Sequence, residues 1–90
     1  MSSDPRRAID DRFDEAPADR RLDHLDAREL PPPEPLRQTL ERLADLDADA
    51  VLLQRNDRAP QHLYPRLEER GYSYETVEGD DAVLTAIWPA

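Results

Sequence analysis

Ninety residues suffice for one small domain, and the sequence contains no cysteine. Disulfides, a thiolate nucleophile, a persulfide carrier and cysteine metal sites are therefore excluded. The chain carries 21 acidic residues against 12 basic ones, a net charge of −9. Such a charge argues against nonspecific binding to nucleic acid or to an anionic membrane surface.

The charged residues are also unusual in type. Every basic residue is arginine, and 13 aspartates outnumber 8 glutamates. A high negative charge keeps a protein soluble but strains its compact state, and molar salt, with a Debye length of ~3 Å, removes most of that strain. The composition favours a protein of a high-salt cytoplasm, with an ordinary acidic protein as the alternative. We see no signal peptide and no stretch near the ~20 apolar residues of a membrane helix, so we expect a soluble cytoplasmic protein.

Residues 1–20 are polar and carry few apolar side chains. We expect a mobile acidic arm here, with at most a short helix from about Pro5 to Glu15, because Pro17 would stop it. Ile9 and Phe13 are spaced i, i+4 and could dock on the domain or on a partner. A disordered tail is the alternative.

Residues 21–90 form the predicted domain, which begins with a strand over Arg21 to Asp26. Leu22 and Leu25 would fall on opposite faces of a regular strand, so we expect a bulge or a late start at Asp23.

A proline cluster then leads into the helix that has the clearest sequence pattern in the chain. Pro31, Pro32 and Pro33 hold the backbone extended. Pro35 suits the first turn of a helix, where its missing N–H is not needed. The helix should run from Glu34 to about Asp45, with an apolar stripe at Leu36, Leu40 and Leu43.

The second half of the chain alternates strands and turns around one further short helix. A continuous apolar run over 50–54 indicates a strand buried on both faces, and a polar loop follows over 55–60. The other predicted elements are a helix over 63–70 with Pro65 in its first turn, a Gly71 cap, a strand over 72–77, a hairpin turn over 78–81 and a strand over 82–88. The order β-α-β-α-β-β predicts an α/β two-layer sandwich, with a four-stranded mixed sheet and both helices on one face.

Several motifs in this order resemble a known group. They are Leu25-Asp26-Ala27-Arg28, Pro31-Pro32-Pro33-Glu34-Pro35-Leu36, Asp57-Arg58, Leu63-Tyr64-Pro65 and Glu69-Arg70-Gly71. With these motifs the chain resembles, from about Leu22 to Trp88, the SirA/TusA-like sulfur carriers, and more closely a related family, domain-of-unknown-function family 2249. The resemblance implies the sulfur-carrier fold.

One departure decides what the resemblance implies about activity. Pro32 occupies the position where the carrier cysteine would sit, so the carrier activity does not transfer. Members of the unknown-function family are similar to domains found beside hemerythrin-like and respiratory or nitrogen-oxide modules, which implies a redox-associated partner role.

Both β-to-α turns of this fold open at the same end of the sheet. Two helix N-termini would point there, so we expect an electropositive end suited to an anion or carboxylate. The alternative is that its arginines pair with neighbouring aspartates and only stabilise the loops. The candidate binding residues are Arg28, Glu29, Pro32, Arg55, Asn56, Asp57, Arg58 and His62.

No set of residues predicts catalysis, a cofactor or a metal site. His24 and His62 are far apart in sequence, and two glycines cannot build a phosphate loop. We therefore predict a non-enzymatic interaction or regulatory domain that contacts a protein partner or a small anion. The alternatives are an accessory component of a sulfur or redox transfer system, whose partner supplies the reactive group, and a dimerising ligand sensor.

Overall fold

The computed structural model describes residues 13–17 and 19–90. Ile9 and most of the predicted N-terminal helix lie outside these residues. The element order β-α-β-α-β-β is confirmed. The elements are β1 (Arg21–Asp26), α1 (Glu34–Ala44), β2 (Ala50–Asn56), α2 (Leu63–Glu69), β3 (Tyr72–Glu78) and β4 (Val83–Pro89).

The four strands form one mixed sheet in the order β1-β2-β4-β3. β1 is parallel to β2, whereas β4 is antiparallel to both of its neighbours. Both helices pack on one face, where Leu43, Leu63 and Leu67 are fully buried in one cluster with Leu52 and Ile87 of the sheet. The predicted two-layer arrangement of sheet and helices is therefore confirmed.

β1 is regular, and the expected bulge or late start is wrong. Its pairing with β2 runs without interruption from Arg21 opposite Ala50 to Asp26 opposite Arg55. Leu25 belongs to the helix-covered cluster, and Leu22 packs on the opposite face of the sheet. The two leucines need no bulge to reconcile them, because both faces of this sheet are apolar.

The second face of the sheet is covered by residues 13–17, which we call the N-terminal strap. Phe13 is 8% exposed and lies in one cluster with five side chains of the two central strands, which are Val51, Leu53, Leu84, Ala86 and Trp88. The backbone N–H groups of Asp14, Glu15 and Ala16 donate to the Glu75 carboxylate at 2.7, 2.8 and 3.0 Å. One ring and one carboxylate thus hold the strap on the sheet.

The element boundaries differ slightly from those predicted. β2 extends two residues beyond Gln54, because Arg55 and Asn56 continue the ladder opposite Leu84 and Val83. Both helices end one residue earlier than expected, at Ala44 and Glu69. Gly71 has a φ of 81°, the left-handed conformation expected of a helix cap.

Candidate functional site

A cleft of about 770 Å³ opens at one end of the sheet, between the β1–α1 turn and the β2–α2 turn. Both turns meet there because β1 and β2 are parallel and end at the same edge. We call it the two-turn cleft. Its lining residues are Ala27, Arg28, Leu30, Pro32, Pro33, Pro35, Leu36, Gln54, Asn56, Asp57, Arg58, Ala59, Pro60, Gln61, His62 and Leu63.

The first turn forms a stiff, apolar wall of the cleft. The Ala27 N–H donates to the Arg55 carbonyl at 2.7 Å, which ties this turn to β2. The Leu30 N–H donates back to the Ala27 carbonyl at 3.3 Å. The prolines that follow restrict φ, so this wall loses little conformational entropy when something binds against it.

Gln54 lies at the floor of the cleft and is only 1% exposed. Its Nε2 donates to Thr39 Oγ1 at 2.8 Å, and Thr39 Oγ1 is 2.6 Å from the Pro35 carbonyl oxygen. That carbonyl can only accept, so the Thr39 hydroxyl must donate to it and must accept from Gln54. These two bonds fix the orientation of the amide. Gln54 Oε1 is left as a buried acceptor with no partner among the described residues.

Arg28 lies at the mouth of the cleft, where its guanidinium is paired with two carboxylates. Its Nε and Nη2 donate to the two carboxylate oxygens of Asp26 at 3.0 and 2.8 Å, and Nη1 lies 3.6 Å from Asp81. The hydrogen bonds from Arg28 lower the pKa of Asp26 to about 2. Arg28 is therefore a fixed part of the first turn rather than a free anion ligand.

The other two arginines of this end differ from each other. Arg55 Nη1 lies 3.9 Å from the same Asp81, at the limit of an ion pair. Arg58 is exposed and makes no ion pair within the described part of the chain. Three arginines at this end of the sheet are thus accompanied by three aspartates, Asp26, Asp57 and Asp81, so their formal charges balance.

The helix N-termini add less positive potential than expected. At the start of α1, Pro35 has no N–H, and the N–H of Glu34 is used by the Pro31 carbonyl at 2.8 Å. Glu34 also adds its own negative charge to the first turn. α2 is only seven residues long, so its dipole is small.

The structure brings six of the eight candidate residues together around the cleft. They are Arg28, Pro32, Asn56, Asp57, Arg58 and His62. Glu29 is exposed on the first turn and Arg55 lies at the end of β2; neither lines the cleft. Sequence reasoning missed Gln54, although a polar residue that closes a buried apolar run is a recognisable signal of a buried polar group.

Two other features bear on the kind of site. No group of three or more histidine, aspartate or glutamate side chains among residues 13–17 and 19–90 is arranged to hold a metal ion. No helix in the same residues is long and apolar enough to cross a membrane.

The chain is a small α/β domain with one mixed sheet, two helices on one face and an open cleft between two β-to-α turns. Residues 24–88 match the family model described as "Uncharacterized conserved protein (DUF2249)". The chain belongs to this family. No curated protein and no solved structure gives a significant match to the chain.

Proposed function

We propose that this chain is a small non-enzymatic interaction or regulatory domain, and that the two-turn cleft is its contact site. The supporting observation is the make-up of the cleft, which has apolar walls, a polar floor and an exposed polar rim. A hydrophobic centre ringed by polar residues is the usual anatomy of a protein–protein contact. The lining residues include no thiol or hydroxyl side chain that could act as a nucleophile.

The setting that we propose is a redox or respiratory system in a high-salt cytoplasm. The net charge of −9 and the absence of lysine support the high-salt part. The redox part is supported only by the resemblance to domains that accompany respiratory modules. A small anion remains a second candidate ligand, because Arg58 is exposed and has no acidic partner among the described residues.

An accessory role in sulfur or redox transfer is the alternative function. Pro32 lines the cleft and is exposed at its mouth, so a partner could bring its own reactive group to this position. The same contact surface would serve both roles, and the identity of the partner would distinguish them.

Affinity capture from source-cell lysate in molar salt, followed by mass spectrometry, tests the proposed contact site. Ala59→Trp places a large ring in the cleft, whereas Ala48→Trp places the same ring on the exposed turn between α1 and β2, at the opposite end of the sheet. We expect a partner that wild type and Ala48→Trp retain and that Ala59→Trp loses. Identical partners for all three proteins would contradict the proposal.

A further inference from the structure

Gln54, at the floor of the two-turn cleft, has a side-chain oxygen that lacks a hydrogen-bond donor among the described residues. Gln54 is 1% exposed, its Nε2 is committed to Thr39, and its Oε1 has no partner among the described residues. Buried polar atoms in native proteins are nearly always paired, so an unpaired acceptor on a residue that lines a cleft is a position that a ligand can satisfy. A group that only accepts, such as a carboxylate oxygen, would face Oε1 without forming a bond.

The charges around the mouth favour an uncharged ligand group. Arg28 is held by Asp26 and Asp81, and Arg55 lies near Asp81 as well. Asp57 lines the mouth beside Arg58, which makes no ion pair among the described residues but has this acidic side chain as its sequence neighbour. The formal charges of the three arginines are therefore matched by those of Asp26, Asp57 and Asp81, in a molecule whose overall charge disfavours an anionic ligand.

The open mouth of the cleft favours a side chain of a partner protein over a free small molecule as the ligand. Pro32, Pro33, Asp57, Arg58, Gln61 and His62 are all exposed around it. Pockets for small molecules usually bury most of their ligand, whereas an open cleft with an exposed rim leaves one side of the occupant free to continue into a partner.

Two side chains combine a large apolar body with an uncharged donor, and these are tryptophan and tyrosine. Both are also frequent anchors at the centre of protein interfaces. We propose that the two-turn cleft takes a tryptophan or tyrosine side chain of a partner protein, and that Gln54 Oε1 selects it by accepting its N–H or O–H. This inference rests on the proposed function and names the chemistry of its partner.

Binding of side-chain analogues, followed by ¹H–¹⁵N NMR at high salt, tests the selection. The probes are 3-methylindole and p-cresol, their donor-free forms 1,3-dimethylindole and 4-methylanisole, and the anion 4-methylbenzoate. We expect the two donors to shift the backbone amides of Leu30, Arg58 and His62 and to bind about fivefold more tightly than their donor-free forms. The difference should vanish in Gln54→Met and persist in Gln61→Met, which changes an exposed residue of the rim.

A blocked pentapeptide with a central tryptophan flanked by glycines tests the source of the side chain. It should bind at least as tightly as 3-methylindole, because the open mouth leaves room for a backbone. Failure of the peptide alongside binding of 3-methylindole would mean that the cleft admits only free small molecules, and would overturn the proposed partner.

The remaining outcomes separate this inference from the proposed function. Equal binding of donor and donor-free probes to wild type would overturn the role of Gln54 and leave the cleft as a contact site; this comparison needs no variant to fold. Preferential binding of 4-methylbenzoate, lost in Arg58→Ala, would overturn it in favour of an anion. If no probe or peptide moves any amide of the cleft while Ala59→Trp still loses its partner, the inference fails and the proposed function stands.

Discussion

At the scale of the residue, Gln54 is a side chain whose placement opposes stability. Its Nε2 gains one hydrogen bond to Thr39, worth about 0.5–1.5 kcal/mol, while its unpaired Oε1 costs about 1–3 kcal/mol. Met has a similar unbranched shape and no acceptor to desolvate. We therefore expect Gln54→Met to raise the free energy of unfolding by roughly 1 kcal/mol.

Urea unfolding at fixed molar salt measures this effect, with Gln61→Met as the control. Gln61 is exposed, so its substitution should change the free energy of unfolding by no more than about 0.5 kcal/mol. A marked loss of stability in Gln54→Met would show that Oε1 has a partner in the folded protein, and would remove the basis for a selecting role.

Glu75 is the second residue that gives a testable prediction, here on how the stability of the protein depends on pH. Burial raises the pKa of its carboxyl, but the N–H groups of Asp14, Glu15 and Ala16 outweigh burial and lower the pKa below its ordinary value of 4.5. The unfolded chain therefore binds more protons in this range. The stabilisation is complete above the ordinary pKa and is lost as the pH falls through the lower folded value.

We expect acidification below about pH 4.5 to release the N-terminal strap, because a protonated Glu75 is a weaker acceptor. Trp88 is the only tryptophan and lies in the cluster that Phe13 covers, so its emission should shift to the red. Glu75→Gln should remove most of this pH dependence, whereas Glu78→Gln, an exposed neighbour on β3, should retain it. Equal acid profiles for both variants would refute the role of Glu75.

At the scale of the element, the N-terminal strap takes the place of a third layer. The second face of the sheet carries Val51, Leu53 and Trp88, and Phe13 packs against them. Removing a buried phenylalanine ring usually costs about 3–5 kcal/mol. We expect Phe13→Ala to cost less, roughly 2–3 kcal/mol, because a short terminal segment can detach without unfolding the sheet.

Urea unfolding and Trp88 emission in the native state measure the two parts of this prediction. Asp14→Ala is the matched control, because Asp14 holds Glu75 through its backbone N–H while its side chain is exposed. A native emission spectrum unchanged by Phe13→Ala would mean that something other than Phe13 shields Trp88.

The elements themselves were predictable from the sequence because each carries a local signal. Pro35 in a first turn, Gly71 as a cap and the apolar run of β2 place their elements within one or two residues of the observed ends. Docking of Phe13 on the domain was one of the sequence-based expectations, but the sheet face that it covers was not predicted. Leu22 and Leu25 point to opposite faces of β1 and so indicated two apolar faces, yet they were interpreted as a sign of a bulge in one strand.

The position of the two-turn cleft was predictable from the sequence, and the pairing of Arg28 with its neighbour Asp26 agrees with the alternative that these arginines bind nearby aspartates. The chain order brings both turns to one edge, which is why six of eight candidate residues surround the cleft. The pairing of Arg28 with Asp81 depends on the β3–β4 turn, more than 50 positions further along the chain, and no local pattern predicts such a contact. The orientation of the Gln54 amide also depends on a contact between elements, because it is fixed by the hydrogen bond to Thr39 of α1.

At the scale of the whole molecule, the net charge of −9 is confined to a chain with a radius of gyration of 12.4 Å. At ~0.1 M salt the Debye length of ~10 Å lets charges act across much of the molecule, whereas ~1 M salt shortens it to ~3 Å. Direct ion pairs such as that of Arg28 with Asp26, at 2.8 Å, act within that shorter distance. Molar salt therefore screens the repulsion more than it weakens the pairs.

We expect the melting temperature to rise by roughly 5–10 °C between ~0.1 M and ~2 M KCl, which corresponds to about 1–2 kcal/mol for a domain of this size. Thermal unfolding followed by circular dichroism measures it. The triple variant Asp45→Asn/Asp49→Asn/Glu69→Gln removes three exposed negative charges remote from the cleft, so it should melt higher at low salt and gain less from added KCl. Sucrose, which leaves charges unscreened, should raise the melting temperatures of both proteins equally. If the triple variant kept the full salt dependence of the wild type, repulsion between surface charges would not be its cause.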